Sequence, residues 1–265
     1  MKLYAQDLRR PASAIALLAA AAGLILTGCG PSHGSASGST GTSSPSTSST
    51  TSGSTSGGSS TVTTSESVPF PDTVGDTWTY KSTIGDGGTV VNKVESVTPV
   101  SSGQKVRMED TSTIAGARHT TSVYYVLQPD GSISLPFSQF SQSGSGVSVK
   151  LISGGIFWPS ASQLASGQPQ HSTLKIEYVI NGKKDMATSH VTVRGAGSQT
   201  VTVPAGTYNA TVVEMTEAEK FEGYNISLEV RTWLASGIGP VQSEITDIAG
   251  SGSVVRQELV SFVKG

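Results

Sequence analysis

Leu174-Lys175-Ile176-Glu177-Tyr178-Val179-Ile180-Asn181-Gly182 decides the fold class. Leu174, Ile176, Tyr178 and Ile180 alternate with Lys175 and Glu177, so one face is apolar and the other charged. That period of two belongs to a half-buried strand. Asn181-Gly182 follows at once. A type I′ hairpin turn needs positive φ at both central residues, and Asn-Gly meets that demand best. Val191 and Val193 then supply apolar positions on the returning strand.

The same punctuation continues on both sides. Gly85-Asp86-Gly87-Gly88, Ala115-Gly116, Pro129-Asp130-Gly131 and Pro204-Ala205-Gly206 each separate two strand-like runs. Residues 227–234 and 254–263 read as two more strands. Roughly eleven or twelve strands are expected, forming an all-β domain: an antiparallel sheet or half-barrel, or a sandwich. Only residues 216–221 look briefly helical, and a charged hairpin loop is the preferred reading there. A faint duplication pairs residues 68–140 with 155–265, as two similar lobes or one sheet made of two halves. Phe70-Pro71, Gly75 and Trp78-Thr79-Tyr80 are echoed by Phe157-Trp158-Pro159, Gly167 and Ile176-Glu177-Tyr178. Val123-Tyr124-Tyr125 before Gly131 is likewise echoed by Arg231-Thr232-Trp233 before Gly237.

The remainder of the 265 residues is of another kind. Charged residues make up 14%, and the net charge of −2 sets up no field that would recruit nucleic acid. A single cysteine leaves packing alone to hold the domain together. Lys2, Arg9 and Arg10 precede an apolar run over residues 12–26, which is short for a bilayer core and has the form of an export signal. It ends in Leu26-Thr27-Gly28-Cys29, which resembles the lipobox of bacterial lipoproteins. The resemblance implies that residues 1–28 are a signal peptide cut before Cys29. It further implies a diacylglycerol on that cysteine and an acylated N-terminus, palmitate being the expected chain. Several acyl chains make such an anchor stable where one is marginal.

Residues 29–66 read as the lipidated cysteine and a linker. Between residues 30 and 64 there is no Lys, Arg, Asp or Glu, and Ser, Thr and Gly dominate. Such a stretch has too little apolar surface to offset the entropy of ordering it. A passive spacer spanning roughly 30–35 Å is expected, with O-glycosylation as a compatible elaboration. Residues 67–265 then form the extracytoplasmic β domain. Anchoring places it at the cell membrane of a single-membrane host. In a two-membrane host it would sit at the outer membrane, because Gly30 stands where an aspartate commonly marks inner-membrane retention.

A second resemblance covers about 60 residues near the C-terminus. Val201-Thr202-Val203-Pro204-Ala205-Gly206-Thr207-Tyr208 is followed by Thr232-Trp233-Leu234-Ala235-Ser236-Gly237-Ile238-Gly239, and then by Glu258-Leu259-Val260-Ser261-Phe262. This order resembles the tail of a loose group of uncharacterised bacterial envelope lipoproteins. It implies an envelope β protein and no activity.

Signals for chemistry are sparse. His33 lies in the linker, and His119, His171 and His190 have no histidine at i+2 or i+4. His190 alternates with Val191 and Val193 and is expected on a solvent face. The folded part has no His-Glu-x-x-His, cysteine pair, calcium-loop pattern or Gly-x-Ser-x-Gly elbow. No metal, cofactor or catalytic residue is therefore assigned. Glu214, Glu217, Glu219 and Glu222 form the densest charge cluster. Paired carboxylates could serve a glycosidase, but Lys220 among them favours a solvated loop, and Glu109-Asp110 reads as equally ordinary.

Three functions follow. The leading one is a non-catalytic envelope module, membrane-anchored and contacting wall polymer or another envelope protein. The second is a carrier of an apolar small molecule or lipid in a curved sheet, lined by Trp78, Tyr124, Trp158, Tyr178 and Trp233. The third is a hydrolase whose site is assembled from distant residues.

Overall fold

The computed structural model describes residues 70, 72–83, 87–114, 116–135, 142–144, 147–180, 182–221, 224–247 and 254–265. The lipobox with Cys29, the linker, Asn181 and Glu222 lie outside these residues. The described chain forms one antiparallel sheet, as its alternation predicts. Fourteen strands follow the order β6-β7-β9-β10-β11-β12-β13-β14-β1-β2-β3-β4-β5-β8. The first half of the chain supplies β1 (Thr77–Ser82), β2 (Gly88–Val100), β3 (Gly103–Ile114), β4 (Ala117–Leu127), β5 (Ile133–Leu135), β6 (Gln142–Gly144) and β7 (Val147–Ser153). The second supplies β8 (Ile156–Trp158), β9 (Gln170–Ile180), β10 (Lys183–Val203), β11 (Gly206–Phe221), β12 (Tyr224–Ala235), β13 (Gly239–Asp247) and β14 (Val254–Val263). The strands beyond the expected eleven or twelve include β5, β6 and β8. Each has three residues, too few to show a period of two.

The β9–β10 hairpin has the expected register: Lys183 pairs with Ile180, leaving a two-residue turn in which Gly182 has φ +80°. Leu174, Ile176 and Tyr178 are buried, while Lys175 is exposed and Glu177 pairs with Lys184. Two readings are corrected. Residues 216–221 are neither helix nor loop but the end of β11, paired with β12 throughout and with β10 as far as Lys220. The one short helix described, α1 (Ala161–Ala165), lies elsewhere; Ser160 and Gln163 close a reciprocal capping box at its start.

The sheet bends at register shifts whose extra residues fall in β14, β2, β7, β10 and β13, and such an insertion increases the local twist. Curling brings distant parts together. The Trp78 indole donates to the Ile238 carbonyl at 2.7 Å, and the Tyr80 hydroxyl donates to the Pro240 carbonyl at 3.0 Å. The Ala205 amide donates to the Leu259 carbonyl at 3.0 Å. The three C-terminal segments of the envelope-lipoprotein pattern therefore meet around β1 and β14. The ladder stays open, yet its ends are neighbours. β7 sits near one end and β8 at the other, and Gly154-Gly155 alone connects them. One core runs along the inner face of the whole sheet, from Val90 and Tyr125 to Ile176, Val230 and Leu259.

Candidate functional site

Alternation assigns the inner face, and polar residues interrupt it. On β2, Val90 and Val94 point inward, and so does Asn92 between them, 2% exposed. On β3, Met108 is followed by Asp110 (2%) and Ser112. Asn92 and Asp110 lie directly opposite each other. Gln257 (β14) and Ser82 (β1) form another buried cross-strand pair, and Ser243 and Thr232 continue that row onto β13 and β12. Two strands from β9, the inner face of β11 carries Glu217 and Glu219, both buried.

These groups are incompletely satisfied. Asn92 Oδ1, both Asp110 carboxylate oxygens and both amide atoms of Gln257 are buried without a hydrogen-bond partner among the described residues. Glu217 accepts from the Ser189 hydroxyl at 2.6 Å, and Glu219 accepts from the Tyr178 hydroxyl at 3.3 Å. The second oxygen of each glutamate has no partner. A buried acceptor left unpaired costs about 1–3 kcal/mol, more when charged. Burial pushes the Asp110 carboxyl up to about 8. It lifts Glu217 to about 7, the Ser189 hydrogen bond opposing and the Glu219 charge assisting. Glu219 is raised by burial against the opposing Tyr178 bond. The phenols of Tyr80 and Tyr178 are held well above their usual range, first by burial and then by these carboxyls.

The expectation of a solvated Glu214–Glu222 cluster is thus corrected at Glu217 and Glu219, and that of an ordinary Glu109-Asp110 at Asp110. Alternation separates the cluster: Glu214 lies on the opposite face of β11, where Arg194 and Arg231 neutralise it at 2.6 and 2.9 Å. The signal was present in the sequence as polar residues on an apolar register: Asn92 between Val90 and Val94, Asp110 after Val106 and Met108, and Glu217 after Val213 and Met215.

The aromatics fall in different places. Trp78, Trp158 and Tyr178 are buried, and Trp158 packs edge-on against Phe70 at 5.4 Å. Trp233 is buried with its indole donating to Gln199 at 2.7 Å. Tyr124 alternates with inward Tyr125 and lies outside, beneath the Lys105 ammonium at 3.9 Å. His171 and His190 are exposed on one face of the β9–β10 hairpin, beside Thr192 and Thr173. No group of three or more potential metal-ligating side chains occurs among the described residues.

A curled single-sheet β protein with carboxyl and amide groups buried on its inner face is the class defined by this geometry. Residues 73–253 match the DUF3108-like family model, and the chain belongs to that family. Two solved structures share the fold. One is a presumptive lipoprotein from Parabacteroides distasonis, 17% identical, with TM-score 0.54, covering 74% of this chain and 99% of that one. The other is a presumptive exported protein with a YmcC-like fold from Bacteroides fragilis, 20% identical, with TM-score 0.51, covering 74% and 98%. Comparison with curated proteins finds no match.

Proposed function

We propose that this chain is a non-catalytic binding module of the bacterial cell envelope, taking a small ligand against the inner face of its curled sheet. The observation that carries this reading is the set of buried inner-face acceptors on Asn92, Asp110, Glu217, Glu219 and Gln257 without partners. Folding alone gains nothing from burying them unpaired, whereas a ligand that satisfies them gains a specific site. The carboxyls are spread over different strands, and among the described residues no histidine lies buried beside them to serve as a base. Binding therefore accounts for them better than hydrolysis does. Export and anchoring through Cys29, with residues 29–66 as spacer, complete the proposal. They are supported by the lipobox pattern and agree with the description of the two structural relatives.

Native mass spectrometry of the full-length protein, released gently from membranes, tests the reading. A discrete added mass that organic solvent removes is expected. A clean apo mass, unchanged after incubation with envelope extract, would overturn the inner-face site and return the search to partners on the outer surface.

A further inference from the structure

We propose that the Asn92–Asp110 pair receives the protonated amine of a ligand whose apolar body lies along the inner face. This rests on the inner-face reading above and specifies what that face takes. Asn92 Oδ1 and both Asp110 oxygens are three acceptors on side chains opposite one another, each residue 2% exposed, and none has a partner. Among the described residues no buried cation faces them. The buried charged residues described are Asp76, Asp110, Glu217 and Glu219, with no Lys, Arg or His among them. The nearby cations of β2 and β3 point the other way: Lys93 pairs with Glu95 at 2.8 Å, and Arg107 donates to Ser122 at 3.0 Å. The Tyr80 hydroxyl is already committed to the Pro240 carbonyl.

Above about pH 8, where the Asp110 carboxyl is ionised, an ammonium group with three donors and no acceptor complements three acceptors of which two share a negative charge. An anionic ligand would meet repulsion, and a hydroxyl would offer one donor while turning its lone pairs toward a carboxylate. Val90, Val94 and Met108 flank the pair on the same face, all buried. They supply apolar contact for the carbon skeleton, so an amine on a hydrocarbon body fits better than a free inorganic cation.

The probe is n-hexylammonium, with hexanol and hexanoate as matched controls. Each is titrated at pH 9, where Asp110 is ionised and the alkylammonium still protonated, into the full-length protein in a non-ionic detergent and read by calorimetry and thermal midpoint. Hexylammonium is expected to bind and raise the midpoint. Hexanol and hexanoate should bind about 10- to 100-fold more weakly, the range of a charge-assisted hydrogen bond. Asp110→Asn should abolish that preference, and Asn92→Leu should weaken the amine by about tenfold while retaining the carboxylate. Should Asp110→Asn fail to fold, Asn92→Leu decides alone. Absence of hexylammonium binding, equal binding of hexanol, or unchanged amine affinity in the folded variants would overturn the assignment. Tight binding of hexanol or hexanoate would do so while leaving the inner-face site standing, so the two failures are distinguishable.

Discussion

Asp110 occupies a position that elsewhere on β3 belongs to Val106 and Met108, and burial holds its carboxyl near 8 rather than at the ordinary 3.8. A carboxyl whose folded value is raised binds its proton more tightly in the native state than in the unfolded chain. Stability therefore falls as pH rises from about 4 to about 8, and the loss is complete above that window. Glu217 adds a loss of the same sign between its ordinary 4.5 and about 7. Equilibrium urea unfolding of the full-length protein at pH 5 and pH 8 should show the lower stability at pH 8. Asp110→Asn should reduce that difference and raise stability at pH 8. An unchanged slope would mean that Asp110 is neutralised by another group. Outer-face Glu214 provides a contrast. It is largely covered but paired with two solvent-exposed arginines on the outer face, and Glu214→Gln should move stability by only about 1 kcal/mol.

Strands and helix interlock through backbone approach at the element scale. The helix α1 docks on β10 at Gly195, where an added Cβ would overlap the Leu164 carbonyl oxygen. Gly195→Ala must therefore push the helix off the strand, breaking the contact of buried Leu164 with the core. A loss of about 1–3 kcal/mol is expected, the usual range for overpacking. It should be seen as a lowered denaturant midpoint with an unchanged slope. A variant as stable as the parent would show that α1 tolerates displacement. Residues 216–221 mark the limit of apolar alternation as a signal for a strand. Strand β11 keeps its period of two there, but Glu217 and Glu219 occupy the inward positions. A reading based on apolar alternation had no apolar face to find.

For the whole molecule, the seam between the sheet's ends is a sensitive point. Gly154 has φ +91°, and a Cβ there would overlap the Thr173 carbonyl oxygen of β9. Strain and overlap act together, so Gly154→Ala should cost more than Gly195→Ala, and limited proteolysis of the variant should cut first at the junction of residues 153–156. Cleavage elsewhere, at parental stability, would show that the seam does not hold the ends together. The proposed anchoring is tested on the full chain. Cys29→Ser should abolish lipid attachment and move the protein from the membrane to the soluble fraction, as followed by fractionation and intact mass.

Local physics let the sequence by itself determine the all-β class, the Asn181-Gly182 hairpin and most of the turns. Side-chain period and turn chemistry depend on a few neighbouring residues, and both can be read one strand at a time. The lipobox pattern is local in the same way. The sequence did not reveal that fourteen strands join in one curled sheet whose ends meet at Gly154-Gly155. Nor did it reveal that Asn92, Asp110, Glu217 and Gln257 are buried on its inner face. Strand order and curvature are set by pairings across long separations, such as β1 with β14. The apolar neighbours of Asn92, Asp110 and Glu217 give the face each occupies, but whether that face is covered is decided only when distant strands pair and the sheet curls.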